Sequence, residues 1–428
     1  MAIQVSNRRI VSGDHSQFAN LVESKLAGLE AIFEIESGPF GIAQGYTYLG
    51  QFLAHEIAPR ANVNSRSRQL DLDSLYPEFD DAEKIDSSNG KFFTQPETED
   101  KLEDLIRDSE NKALIPDFRN DDQLILAQLH LLWLNFHNHL INLFDIHCTP
   151  DPDGPLARYE EARRFTVACF QRIIVDDYMD TLTDCNVRSL LWGGDKIDIL
   201  KIPHEDQLPF EFTHAAGRFG HPQVRSAYIL NSDDPRQVSL EDLFLLTGAN
   251  EDYEGVPNRF RIEWQLFFPK TDNDKREEAQ KIKPFITPAL RQRVLVKNFQ
   301  AGIKKKLPSG QLLAKTIINE FHKQEFYDHG VQENIVEIDD NQAARNALEA
   351  MNLLEDTPIW LFILLESDAS PTRGEKLGPL GSVLLIETIK NGLNNTGYGE
   401  YEKVQKQFEI CGFPVIRKMS DLIDVLEP

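Results

Sequence analysis

Between Leu124 and Phe144, apolar residues recur every three or four positions, a spacing that predicts a buried helix. Phe118-Arg119-Asn120-Asp121-Asp122 stands at its start, one arginine beside two carboxylates, with Asn120 or Asp121 as the expected N-cap. We expect something anionic or polar to be handled at that mouth. The same rhythm predicts a helix over Tyr46 to Ile57, closed by Pro59, and a long one over Ala157 to Asp180, apolar at Phe165, Ala168, Cys169, Ile173 and Val175. Shorter helical patterns run over Gln17 to Leu29, Phe210 to Gly217, Leu240 to Thr247, Ile286 to Ile303, onward from Leu312, Pro358 to Glu366 and Gly378 to Asn391. Thr149 to Pro155 is a turn. Pro77 to Pro116 is polar and acidic and is expected to be a long surface excursion with a short helix near Asp100 to Arg107. Strand signals are few and short, and no internal repeat is visible, so the expected fold is mainly α.

Composition narrows the possible partners. Hydrophobic residues make up 41% and charged residues 27% of the 428, as in a globular chain. Asp and Glu outnumber Lys and Arg by 69 to 45, and the net charge of -24 repels nucleic acid and anionic membranes. The N-terminus carries no apolar run long enough for a signal peptide, and no segment approaches a membrane span; the expected location is cytoplasmic. Four cysteines, Cys148, Cys169, Cys185 and Cys411, show no CxxC spacing. They read as reduced thiols, with a Cys169 to Cys185 bridge left open.

Candidate chemistry gathers in three stretches. Tyr48-Leu49-Gly50-Gln51-Phe52-Leu53-Ala54-His55-Glu56 lies upstream of the long helix, the Arg119 stretch opens it, and Arg218-Phe219-Gly220-His221-Pro222 follows downstream. Two of them set a histidine among apolar residues beside an arginine or amide, which are ingredients of a metal or cofactor pocket. His130, His137, His139 and His147, on or beside the long helix, read as structural, satisfied by neighbouring groups. Ser65 to Tyr76 alternates oxygen-bearing side chains in a manner that suits a hard cation such as calcium.

In order and spacing these stretches resemble the distal-histidine, catalytic-arginine and proximal-histidine motifs of the animal-type haem peroxidases, the peroxidase-cyclooxygenase superfamily. The likeness runs from about Tyr46 to about Leu393. It implies one helical haem-peroxidase domain over 46–393, with extensions over 1–45 and 394–428, and haem b as cofactor.

The resemblance assigns His55 the proton transfer that cleaves peroxide, Gln51 a hydrogen bond to a distal water or anion, and Arg119 the stabilisation of developing charge. It makes His221 the axial iron ligand, Asn298 the acceptor of that histidine's second ring N–H, and Arg218 a further cofactor contact. Asp122 is left as the one carboxylate available for an ester link to haem, because Ala54 fills the other linking position. Glu56, Ser67, Asp71, Asp73 and the carbonyl of Gln69 match the family's calcium loop. The cyclooxygenase branch carries a tyrosine three residues before its proximal histidine, and here that residue is Arg218. The expected activity is reduction of hydrogen peroxide with a small organic donor or halide. A dioxygenase or tailoring oxidase acting on a lipid or peptide, and a haem-binding relative with lapsed catalysis, stay open as alternatives.

Overall fold

The computed structural model describes the chain except residues 1–2, 14, 19–30, 34–40, 59–68, 148–153, 193–197, 203–207, 249, 251, 321–341, 394–399, 411–412 and 428. The expected helix over Gln17 to Leu29 and the Thr149 to Pro155 turn therefore fall largely outside the described residues. Helices dominate, as the apolar rhythm predicts, and the strands are two or three residues long. The chain divides into two compact units. One comprises Met1–Ile42, Met179–Arg225 and Glu278–Asn391, and the other Ala43–Tyr178, Ser226–Glu277 and Gly392–Pro428.

In the unit that contains the long apolar helix, α1 is Gly45–Ile57, α2 is Leu124–His147 and α3 is Gly154–Ile173. Phe52 of α1 meets His130 of α2 and Phe170 of α3, with ring centroids 6.0 Å apart in both cases. Trp133 packs edge-on against Phe170 at 5.5 Å, so α2 runs through the middle of this core. The expected helix to Asp180 is interrupted: after Ile173 the chain forms a π-helical stretch, Ile174–Tyr178. Tyr178 then packs against Gly50 so closely that a Cβ there would collide with its hydroxyl, which explains a glycine in the middle of α1.

The stretch from Pro77 to Pro116 departs from expectation. No helix forms over Asp100 to Arg107; instead Ile85–Asp86 pairs with Lys91–Phe92, and Thr94–Gln95 pairs with Asp104–Leu105. Leu102 and Leu105 are buried, so this segment is partly core and not only a surface excursion. Asn138 of α2 brackets Phe92 with both amide atoms, at 2.8 and 3.0 Å, which binds the first hairpin to the helix. His137 bonds Tyr76 and the Gly90 carbonyl, a structural histidine as read from sequence.

In the other unit, α4 is Pro288–Lys304, α5 is Ile359–Ala369 and α6 is Pro379–Leu393. Phe299 of α4, Trp360 of α5 and Phe33 stack together with centroids 5.2 to 6.2 Å apart, and all three are buried. That cluster fixes the face of α4 next to Asn298. Cys169 and Cys185 are both free thiols. Among the described residues, no helix is long and apolar enough to cross a membrane.

Candidate active site

On α1, Gln51, Ala54, His55 and Ala58 just beyond its end are partly exposed along one stripe, while Phe52, Leu53, Glu56 and Ile57 are buried. Positions i, i+3, i+4 and i+7 share a helix face, so Gln51 and His55 present their side chains on the same open side. His55 Nδ1 meets Asn120 Oδ1 at 2.8 Å, and Asn120 Nδ2 meets His130 Nδ1 at 3.1 Å. An amide oxygen only accepts, so in this pair it is His55 Nδ1 that donates. Asn120 and His130 are both fully buried, which makes this a fixed second layer behind the imidazole.

Asn120 is not the cap of α2. A 3₁₀ turn, Phe118–Asp121, precedes that helix and is capped by Asp117, whose carboxylate accepts from the Arg119 backbone N–H. Asp117 and Asn120 as a supporting pair were missed in the sequence. An acid two residues before Arg119 was the only available signal, and nothing marked His130 as more than a core histidine.

Arg119 is more deeply engaged than a freely presented cation. Its guanidinium grips Asp117 through Nε and Nη2 at 2.9 and 2.7 Å, and donates to the carbonyls of His55 at 2.8 Å and Ala58 at 3.0 Å. Those carbonyls end α1, so Arg119 caps the helix that bears His55. Burial opposes the charge of Asp117, but the bonds and charge of Arg119 outweigh it and hold the carboxyl below the usual range. Asp121 pairs elsewhere, with both outer nitrogens of Arg107 at 2.6 and 2.9 Å. Asp122 is exposed at the end of the turn.

Glu56 points to the buried side of α1. Its two oxygens accept the backbone N–H groups of Asp73 at 2.8 Å and Ser74 at 3.0 Å. Burial, with Asp71 and Asp73 nearby, pushes its pKa up to about 8. Ser67 lies outside the described residues, and Gln69 and Asp71 begin the segment that follows. Among the described residues, no group of three or more His, Cys, Asp or Glu side chains is arranged to hold a metal ion.

The second set of residues lies in the other unit. His221 opens a 3₁₀ turn, His221–Gln223, with Pro222 at its first positions. Asn298, buried on α4, places Nδ2 2.9 Å from His221 Nδ1. The pair named from the sequence is thus within hydrogen-bond distance, with the direction set by the imidazole's tautomer. Arg218 Nη1 donates to Asn298 Oδ1 at 3.0 Å, and a guanidinium can only donate, so the amide NH₂ is what faces the imidazole. The Arg218 backbone is fixed by Trp360, whose indole N–H donates to its carbonyl at 3.2 Å. Burial and the Arg218 charge push the pKa of His221 down to about 4, keeping the ring neutral as a metal ligand must be.

Among the described residues no carboxylate pairs with Arg218, its buried Nε has no hydrogen-bond partner, and burial lowers its pKa. A neutral imidazole beside an uncompensated guanidinium suits a metal-bearing cofactor that also carries carboxylates, as haem does.

Residues 45–300 match the animal haem peroxidase family. No curated protein matches the chain. Among solved structures, peroxidase A from Dictyostelium discoideum is similar in fold, with a TM-score of 0.63 at 14% identity over 94% of this chain and 88% of that one. The fatty acid alpha-dioxygenase of Arabidopsis thaliana gives 0.59 at 12% identity, covering 97% of this chain and 76% of that one. The Oryza sativa fatty acid alpha-dioxygenase gives 0.60 at 11%, covering 96% and 79%. These likenesses give the peroxidase-cyclooxygenase fold, and they span both a peroxidase and dioxygenases. With the family match extending over more than half of its length, the chain belongs to the animal haem peroxidases.

Proposed function

We propose that this protein is a haem-dependent peroxidase that reduces hydrogen peroxide at the expense of a small organic donor or a halide. The observation that carries the choice is Arg218. The cyclooxygenase branch, by the resemblance, carries a tyrosine three residues before the axial histidine, and here a guanidinium stands there, bonded to Asn298. Bound haem would supply the redox centre that exchanges electrons with peroxide.

His221 would hold the haem iron and Arg218 a haem carboxylate. His55 Nε2 takes a proton from peroxide and can return it, since Asn120 keeps the other ring nitrogen protonated throughout. Gln51, one turn earlier on the same stripe, would offer its amide to the peroxide substrate or a water. Arg119 holds the His55 helix end in place and brings a positive charge near it, already balanced in part by Asp117.

The discriminating experiment compares two activities of the haemin-loaded protein: oxidation of a dye donor with hydrogen peroxide, and oxygen uptake with a long-chain fatty acid. Peroxide-driven turnover without oxygen uptake is expected. Oxygen uptake with fatty acid and no peroxidase turnover would replace this reading by the dioxygenase one, and a Soret band with neither activity would replace both by a haem-binding relative with lapsed catalysis.

Calcium on Glu56, Asp71, Asp73, Ser67 and the Gln69 carbonyl is part of the proposal. It is supported by the mutual proximity of Glu56 to two further carboxylates. Chelator is expected to lower the melting temperature by a few degrees and added calcium to restore it. An unshifted melting curve, with no calcium by elemental analysis, removes the cation from the proposal.

A further inference from the structure

The start of α4 gathers donors that find no acceptor. Thr287 stands at the N-cap position, where a hydroxyl ordinarily accepts an N–H of the first turn, yet it makes no such bond. The residue is 1% exposed, and its Oγ1 has no hydrogen-bond partner among the described residues. Pro288 carries no N–H, and the amides of Leu290 and Arg291 both go to the Thr287 carbonyl, at 3.0 and 2.9 Å. Among the described residues, that leaves the Ala289 N–H as the first-turn donor without an acceptor.

Arg291 is an independent observation at the same place. Side chains of a helix lean back toward its N-terminus, so the residue four after the N-cap lies over it. Among the described residues the Arg291 guanidinium has one acceptor, the Phe33 carbonyl, 2.6 Å from Nη2; its Nε is buried without one. No carboxylate among the described residues pairs with it, although Asp and Glu outnumber Lys and Arg by 69 to 45.

These groups share a polarity. An amide N–H and a guanidinium only donate and a hydroxyl is able to, so the partner that suits all three is one that only accepts. A water would need acceptors for its own two protons, whereas an oxyanion would not. The positive end of a 17-residue helix favours a negative charge there as well.

We propose that the first turn of α4 is an oxyanion site, held by the Ala289 N–H, the Thr287 hydroxyl and Arg291 Nε. Its ligand is a phosphate or carboxylate group, either a free small anion or the end of a small molecule. The site is distinct from the cofactor residues: Asn298, the one on this helix, lies eleven positions beyond Thr287. Its occupation needs no haem.

Isothermal titration of the full chain, in a Tris-chloride buffer at fixed ionic strength, tests this with inorganic phosphate in one arm and acetate in the other. Saturable binding of one anion per chain is expected, and the arm that binds more tightly names the group. Thr287→Val keeps the side-chain shape without the hydroxyl and should weaken binding about tenfold; Arg291→Met should weaken it about 10- to 100-fold, the range of a hydrogen bond to a charged group. Arg345→Met removes the same charge from a partly exposed pair, Arg345 with Glu349 at 3.0 Å, and should leave the affinity unchanged. Circular dichroism and melting curves check that each variant folds, and if Arg291→Met does not, Thr287→Val decides alone. No saturable binding of either anion by the wild type overturns the site. So does wild-type affinity in Thr287→Val, or an equal loss in Arg345→Met.

Discussion

Replacing His221 with alanine abolishes stable haem uptake while the chain still folds. The substitution removes the axial nitrogen and leaves the buried Asn298 NH₂ without its acceptor, a loss of about 1–3 kcal/mol that the remaining contacts can absorb. Changes in groups that only orient a metal ligand cost about 10- to 100-fold in affinity, and removing the ligand itself should exceed that range. The control is His214, seven residues earlier. It is also neutral, with a pKa pushed down to about 4 by burial and by Lys305, Arg218 and Arg8. His214 bonds Thr213 and packs on Phe210, contacts that explain it without a metal, so His214→Ala should keep its haem. Haemin titrations of both variants, with added imidazole to fill the gap in His221→Ala, measure this directly. An unchanged histidine-ligated spectrum in His221→Ala, or its loss in His214→Ala alone, would move the axial role away from His221.

The sequence was most informative where burial imposes a period. α1 begins one residue from the expected Tyr46 and ends at the expected Ile57, because Phe52, Leu53, Glu56 and Ile57 must all face inward and Pro59 forbids continuation. α2 is just as legible, since nearly every turn is buried. The hairpins between Ile85 and Leu105 were not, because two-residue strands are too short to show alternation. They are held by partners remote in sequence, such as Asn138 on Phe92. The N-cap assigned to Asn120 or Asp121 failed for a different reason. Both side chains are drawn into tertiary bonds, Asn120 between two imidazoles and Asp121 onto Arg107, and at the start of α2 it is the Gln123 side chain that accepts, from the Ile125 backbone N–H.

At the candidate site the residue types were legible and their directions were not. The family resemblance singled out His55, Arg119, His221 and Asn298, and each has a side-chain partner that matters. But Asn298 is also bonded by Arg218, eighty residues away, and the amide behind His55 is also bonded by His130. Such third groups are remote in sequence, and only the fold brings them to the pair.

The distal residues separate by what each variant loses. His55→Ala and Asn120→Leu leave His221 and Arg218 untouched, so both should take up haemin normally. His55→Ala removes the proton acceptor, and the rate of the spectral change on mixing with hydrogen peroxide should fall roughly 100- to 10,000-fold, the usual contribution of a positioned acid-base group. Asn120→Leu keeps the imidazole but withdraws the acceptor from Nδ1, freeing the ring to rotate and to protonate on Nε2. A loss of about 10- to 100-fold is expected, with a shifted pH profile, and Asn120→Asp should recover much of the rate because a carboxylate also accepts from Nδ1. Arg119→Ala should behave differently from both. It strips the carbonyls of His55 and Ala58 of their donors and takes the guanidinium from the buried Asp117 carboxylate, so it should destabilise the fold by about 3–5 kcal/mol in addition to slowing the reaction. Stopped-flow rates over a pH series, beside urea denaturation of the same four proteins, distinguish a base, its orienting amide and a structural clamp. Wild-type rates in His55→Ala would remove the peroxide chemistry from this helix, and an Asn120→Leu profile identical to the wild type would leave His55 acting without the amide behind it.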